Sequence, residues 1–140
     1  MGWWLSVAVA VTFVWLGMVL AISFMEAPLK FRAPGITVPL GLGIGRLVFH
    51  ALNGCELVLA AVLAVSTVAG GPGAPASAAT AVAIAVLLAQ LALVRPRLTR
   101  RSDAVLAGAD VPRSRAHLAY LALELVKVLA LVAGGVLLLA

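Results

Sequence analysis

WWLSVAVAVTFVWLGMVLAISFM, residues 3–25, is an apolar run whose polar members are Ser6, Thr12 and Ser23. At 1.5 Å per residue, a helix of this length spans about 35 Å, which exceeds the roughly 30 Å hydrocarbon core of a bilayer. The run therefore predicts a transmembrane helix that stops before Pro28, because proline breaks a helix interior. No Lys or Arg precedes the run, so we expect it to stay in the protein and not to be removed as a signal peptide.

Composition and three further apolar runs extend this prediction to the whole chain. Of the 140 residues, 64% are hydrophobic and 11% are charged, whereas soluble domains have roughly 45–50% and about 25%. The further runs cover about 44–68, 78–94 and 114–139. We predict an all-α integral membrane protein, a four-transmembrane-helix bundle that forms one domain over residues 1–140 and lies in the cell membrane as a multi-pass protein.

The basic residues predict the orientation of the helices. The first connection carries Lys30 and Arg32, and we interpret these with Glu26 as an interfacial anchor. The third connection, residues 95–113, predicts a basic cytoplasmic loop that contacts anionic lipid head groups or a partner. The arginines of this loop and its flank are Arg95, Arg97, Arg100, Arg101, Arg113 and Arg115. The termini and the second connection have no Lys or Arg, so the positive-inside rule places both termini outside the cytoplasm.

A polar seam is predicted along one face of the second and fourth helices. Its members are Arg46, His50, Asn53, Glu56, His117, Tyr120, Glu124 and Lys127. Ionisable residues inside membrane helices are costly and usually face the bundle interior. Glu56 and Lys127 fall at matching depths near the bilayer centre, so we predict a direct ion pair between them. We also expect Arg46 or His50 to face Glu124.

The same two segments indicate an internal repeat of two hairpins. Residues 46–56 and 117–127 both carry polar groups at i, i+7 and i+10 and an aromatic residue at i+3, which is Phe49 in one and Tyr120 in the other. The second and fourth helices would then be equivalent parts of a parallel repeat, related by an axis along the membrane normal.

The end of the first helix reads Ala27-Pro28-Leu29-Lys30-Phe31. A long helix followed by Ala-Pro-x-x-Phe resembles the family of small four-helix membrane proteins of unknown function that includes transmembrane protein 205. That family is similar in overall layout to the copper-resistance D membrane domain. The resemblance implies a four-helix bundle and no established activity.

Cofactors and nucleic acid are not expected from this sequence. His50 and His117 raise a haem or copper hypothesis, because imidazole ligates both. The two histidines lie on different helices, however, and Met18 and Met25 at helical spacing are typical of packing. The net charge of +5 comes from residues that flank apolar runs, which is typical of topology signals and not of nucleic-acid binding.

Three functions remain open from the sequence. Transport or permeation through the polar seam is favoured, in a bundle that we expect to form homo-oligomers. The alternative is a non-catalytic scaffold or accessory subunit whose basic loop binds a partner or anionic lipid. The third is a haem- or metal-binding membrane protein. An enzyme is disfavoured, because His50 with Glu124 is the one acid–base pair that the sequence offers.

Overall fold

The computed structural model describes residues 1–110 and 115–140. This part of the chain contains helices and no strands, which confirms the all-helical prediction. Its helices that are long and apolar enough to cross a membrane are α1 Trp3–Arg32, α2 Val38–Gly70, α3 Ala74–Leu106 and α4 Arg115–Leu139. Length and composition thus fit a multi-pass membrane protein.

Helix α1 does not stop before Pro28, so the predicted end at residue 25 was wrong. The helix widens into a π-helical segment over Leu20–Glu26, and the Ala27 N–H bonds the Ile22 carbonyl five residues back. A proline has no N–H and crowds the carbonyl four residues before it. The wider turn relieves that crowding and lets the helix continue through Pro28 to Arg32.

Helix α3 repeats the arrangement of a π-helical segment followed by a proline. The segment covers Gln90–Val94, the Arg95 N–H bonds the Gln90 carbonyl, and Pro96 follows in the helix that continues over Arg95–Leu106. The predicted loop over residues 95–113 is therefore helical over Arg95–Leu106. Arginine and leucine are good helix formers, which favours a helix over a loop here.

The remaining predicted boundaries also change. Helix α2 begins six residues before the predicted position 44, because Thr37 caps it: the Leu40 N–H donates to the Thr37 Oγ1 at 3.2 Å. Helix α3 begins at Ala74, before the predicted position 78. Helix α4 is described from residue 115, so the predicted start at 114 and Arg113 lie outside the described residues.

The helices are arranged as a ring in chain order. Helix α1 packs against α2 and α4, and α3 packs against α4 and, less extensively, against α2. Helices α2 and α4 therefore lie across the bundle axis from each other. We call the end that holds Arg32, Arg46 and Arg95 the basic end and the opposite end, with Gly71, the turn end. At 33 residues, α2 and α3 are about 50 Å long.

Buried positions recur at the same spacing in the two hairpins. Along α1 the buried residues are Ala8, Thr12, Trp15 and Val19, and along α3 they are matched in the same order by Ala76, Thr80, Ala83 and Leu87. Those that correspond between α2 and α4 are Asn53, Glu56, Ala60 and Leu63 with Glu124, Lys127, Leu131 and Gly134. The similarity noted between residues 46–56 and 117–127 thus extends to which side chains face the interior.

Large apolar side chains cover much of the outer surface. Val68 is 86% exposed, Leu47 is 76% exposed and Leu93 is 64% exposed. Soluble monomers rarely expose extensive apolar patches. In lipid such a surface carries no penalty, because acyl chains are as apolar as leucine.

We expect Gly71→Ala to destabilise the bundle. Gly71 ends α2 in the left-handed conformation with φ of 56°, which costs a residue with a Cβ about 1 kcal/mol or more. Gly17→Ala is the control, because a Cβ at Gly17 has open space around it. Unfolding by SDS titration in mixed micelles should give a lower free energy of unfolding for Gly71→Ala than for the wild type. The free energy of unfolding of Gly17→Ala should equal that of the wild type. Equal stability of the two variants would contradict this description of the turn.

Candidate functional site

Lys127 lies at the centre of a buried charged cluster. Its Nζ is 2.5 Å from the Glu56 Oε1 and 2.6 Å from the Glu124 Oε1. It also donates to the Gln90 Oε1 at 2.8 Å. Lys127, Glu56 and Glu124 are each 0% exposed. The predicted contact between Glu56 and Lys127 is therefore present, and it joins the two helices that face each other across the bundle.

Every helix of the ring contributes to this cluster. From α1, the Trp15 Nε1 donates to the Glu56 Oε1 at 3.0 Å, and the Ser23 Oγ donates to the Glu124 Oε2 at 2.6 Å. From α3, the Gln90 Nε2 donates to the Glu124 Oε1 at 3.3 Å. The four helices are thus fixed in register by hydrogen bonds that an apolar surrounding makes expensive to break.

The π-helical segments deliver two of these partners. Ser23 lies within the segment of α1, and Gln90 opens the segment of α3. Such local widening of a helix often marks functional sites, because it redirects side chains away from the regular spacing. Here the two segments turn their polar residues toward Glu124 from different sides of the ring.

The cluster has unequal charge. Its members are two carboxylates and one ammonium group, so full ionisation leaves one negative charge in excess. The Glu56 Oε2 is buried and has no hydrogen-bond partner among the described residues. An uncompensated charge in such surroundings is unfavourable by several kcal/mol as an order of magnitude. The arrangement can relieve this cost by holding one proton.

A cavity of about 440 Å³ opens beside the cluster at the basic end. Ser23 and Glu124 form the part of its lining that belongs to the cluster. Its cationic lining residues are Lys30, Arg46, Arg95 and Arg101, and its aromatic ones are Phe24, Phe31, Phe49 and Tyr120. The volume falls in the range of roughly 300–1,000 Å³ that is typical of ligand sites.

Only some residues of the predicted polar seam come together in one site. Glu56, Glu124 and Lys127 form the cluster, while Tyr120 and His117 line the cavity. Asn53 is buried one turn from Glu56. His50 is exposed. Because Glu124 is bonded by Ser23, Gln90 and Lys127, it has neither Arg46 nor His50 as its partner, and the predicted acid–base pair of His50 with Glu124 was wrong.

The basic residues at the basic end differ in whether they form an ion pair, line the cavity or are exposed. The Arg46 Nη1 pairs with the Asp103 Oδ1 at 2.6 Å and thereby ties α2 to the end of α3. The Lys30 Nζ is 3.9 Å from the Glu26 Oε2, and Arg32 is exposed. Among the arginines of the predicted loop, Arg95 and Arg101 line the cavity. Arg97, Arg100 and Arg115 are exposed.

Three cluster residues were not among the predicted site residues: Trp15, Ser23 and Gln90. Gln90 was visible as the one strongly polar residue of its apolar run. Trp15 and Ser23 gave a weaker signal, because tryptophan and serine are common in membrane helices without any polar partner. Within the part of the chain that the structure describes, no group of three His, Cys, Asp or Glu residues is arranged to hold a metal ion.

Comparisons of the chain with protein-family models, curated proteins and solved structures gave no match. The resemblance to the family that includes transmembrane protein 205 therefore stays a prediction, and the site has to be interpreted from its own geometry.

We expect Lys127→Met to be far more destabilising than Glu56→Gln. The first change leaves two buried carboxylates without a cation and should cost roughly 3–5 kcal/mol. The second removes the excess charge, keeps the side-chain shape and should cost at most about 1 kcal/mol. Lys30→Met is the control for loss of a lysine whose ion pair is long. SDS titration measures the free energy of unfolding of all three variants. A similar loss of stability in Lys127→Met and Lys30→Met would contradict the importance of the cluster.

Proposed function

We propose that this chain is a multi-pass membrane transport protein in which the cluster of Glu56, Glu124 and Lys127 binds and passes a proton. The supporting observation is that a fully buried group of two carboxylates and one ammonium lies beside a cavity that reaches one end of the bundle. Buried ionisable groups inside membrane helices are typical of proton relays and solute pathways.

A continuous chain of contacts supports a route for the proton. Ser23 and Glu124 line the cavity, Glu124 contacts Lys127, and Lys127 contacts Glu56. A proton that enters from the basic end can therefore reach Glu124 first and exchange with Glu56 through small shifts of the lysine. Each step covers a hydrogen-bond distance of 2.5–2.6 Å.

Beyond Glu56 the bundle is tightly packed toward the turn end. The packed residues include Ala8, Leu63, Ala83, Leu131 and Leu138. In the proposed cycle, this arrangement is the state that is open toward the basic end and closed toward the other. In the proposed cycle, the two hairpins are halves of an internal repeat that rock against each other around the cluster, as inverted or parallel repeats do in known transporter classes.

The proposed topology has both termini outside and the basic end in the cytoplasm. To test it, Cys55 is replaced by serine, and single cysteines are introduced as Ala140→Cys and Arg97→Cys. A membrane-impermeant maleimide applied to intact cells should label Ala140→Cys at once and Arg97→Cys only after permeabilisation. The reverse order of labelling would contradict the orientation.

We expect Glu56→Gln to abolish proton transport. Purified protein is reconstituted into vesicles that contain a pH-sensitive dye, and a potassium diffusion potential, negative inside, drives proton uptake. The wild type should acidify the lumen faster than empty vesicles, and Glu56→Gln should reduce the rate to that of empty vesicles. His50→Gln is the control, because His50 is exposed, and it should retain the wild-type rate.

The double variant separates transport from a merely structural role. Glu56→Gln with Lys127→Met removes both charges of that pair and leaves Glu124 bonded by Ser23 and Gln90. A bundle that needs the pair only for cohesion should then recover folding and activity together. The proposal expects folding without activity. A wild-type rate equal to that of empty vesicles, or full rescue in the double variant, would contradict transport through the cluster.

A second candidate is supported by the exposed arginines Arg97, Arg100 and Arg115. They suit contact with anionic head groups or an acidic partner, as expected of a scaffold or accessory subunit. Under that function, replacing Arg97 and Arg100 with glutamine should abolish activity, and Glu56→Gln should leave it intact.

A further inference from the structure

Several buried polar atoms without partners are concentrated around the cavity at the basic end. Among the described residues, the unpartnered atoms that belong to its lining are the Arg95 Nε and Nη2, the Ser102 Oγ and the Tyr120 Oη. Buried polar atoms in folded proteins nearly always have a partner, so a cluster of exceptions indicates a place where water, an ion or a ligand supplies the missing hydrogen bonds. All four atoms can donate a hydrogen bond.

Arg95 is held in a defined orientation by aromatic rings. Its Cζ lies 4.8 Å from the centre of the Tyr120 ring and 5.2 Å from that of the Phe49 ring. The two rings meet edge to face, with centres 6.0 Å apart. A guanidinium that is fixed by such cation–π contacts loses little freedom when it binds an anion.

The unpartnered nitrogens of Arg95 form one edge of the guanidinium. Nε and Nη2 donate in parallel along that edge, which is the geometry that matches two oxygens of a carboxylate or a phosphate. Within the described part of the chain, no carboxylate oxygen lies within 4 Å of the Arg95 nitrogens, whereas Arg46 is paired with Asp103 and Lys30 with Glu26. Arg95 therefore keeps a charge that no carboxylate of the described residues neutralises, and the Tyr120 hydroxyl is its polar neighbour.

The remaining walls of the cavity are largely apolar. They include Phe24, Phe31, Leu42, Leu98 and Leu121. An inorganic anion would leave these walls in contact with water, whereas an acyl chain would cover them at a gain of roughly 25 cal/mol per Å². The combination of a fixed basic fork and apolar walls thus selects an amphiphile.

We infer that this cavity binds an anionic amphiphile, an acyl chain with a phosphate or carboxylate head group, and that Arg95 grips the head group with Tyr120 and Ser102 beside it. The inference rests on the proposed function in that the ligand occupies the entrance to the proton route. The ligand is a lipid-like anion that enters the cavity from the basic end.

Binding is tested on the whole chain in neutral detergent by native mass spectrometry. Three probes separate the contributions of head and tail: a lysophosphatidic acid, a monoacylglycerol with the same acyl chain, and inorganic phosphate. The lysophosphatidic acid should bind at least about tenfold more tightly than either of the others, because it supplies both the charge and the chain. Equal binding of the monoacylglycerol or of inorganic phosphate would overturn the inference.

Variants of Arg95 test the fork itself. Arg95→Gln should weaken binding of the lysophosphatidic acid by roughly tenfold to a hundredfold, and Arg95→Lys should recover only part of it, because an ammonium keeps the charge without the fork. Arg32→Gln is the control for loss of an exposed cation at the same end of the bundle and should bind as the wild type does. An equal effect of Arg95→Gln and Arg32→Gln would overturn the inference.

Two further variants separate ligand binding from folding and from proton transport. Tyr120→Phe preserves the ring beside Arg95 and removes only the hydroxyl, so it should weaken binding severalfold in a folded protein. Glu56 lies outside the cavity. The Glu56→Gln variant should therefore bind the lysophosphatidic acid as the wild type does, although it fails to move protons. In the wild type, absent binding with intact proton uptake would refute the ligand site alone, and intact binding with no proton uptake above that of empty vesicles would refute the proposed function alone.

Discussion

The structure depends on the cost of placing ions in an apolar interior. Lys127 is fully buried, and an unpaired charge in an apolar interior is unfavourable by several kcal/mol as an order of magnitude. The cost is offset because carboxylates approach from α2 and from the preceding turn of α4, at 2.5 and 2.6 Å. The ion pairs and hydrogen bonds of the cluster join all four helices, so they help to specify how the helices meet.

The same constraint explains the irregular helices. Ser23 and Gln90 bond Glu124 from α1 and α3, and both lie in π-helical segments that precede Pro28 and Pro96. The prolines therefore accompany a local widening that brings polar residues to the cluster, and the helices continue beyond them to surround the cavity. The cavity lies beside the cluster on the side of the basic end, and the apolar core fills the bundle on the side of the turn end.

Much of this arrangement could be predicted from residue types and spacing. Hydropathy identified the four helices, and the matching depth of Glu56 and Lys127 predicted their contact. The extent of α1 and α3 could not be predicted, because a proline normally ends a helix and the π-helical turn that tolerates it leaves no periodic signal. The prediction placed His50 in the interior, because a rotation of 100° per residue puts it on the same side of α2 as Glu56. The side of α2 that faces the interior is narrower, however, and is filled by Asn53 and Glu56.

The account stands on Lys127 as a charged ammonium that holds both carboxylates at once. Solid-state NMR of the isotope-labelled protein in lipid bilayers tests this most directly, through correlations between the Lys127 Nζ and the carboxyl carbons of Glu56 and Glu124. The account predicts a protonated amine with cross-peaks to both carboxyl groups. A neutral amine, or a Lys127 signal with no correlation to either carboxyl carbon, would contradict it.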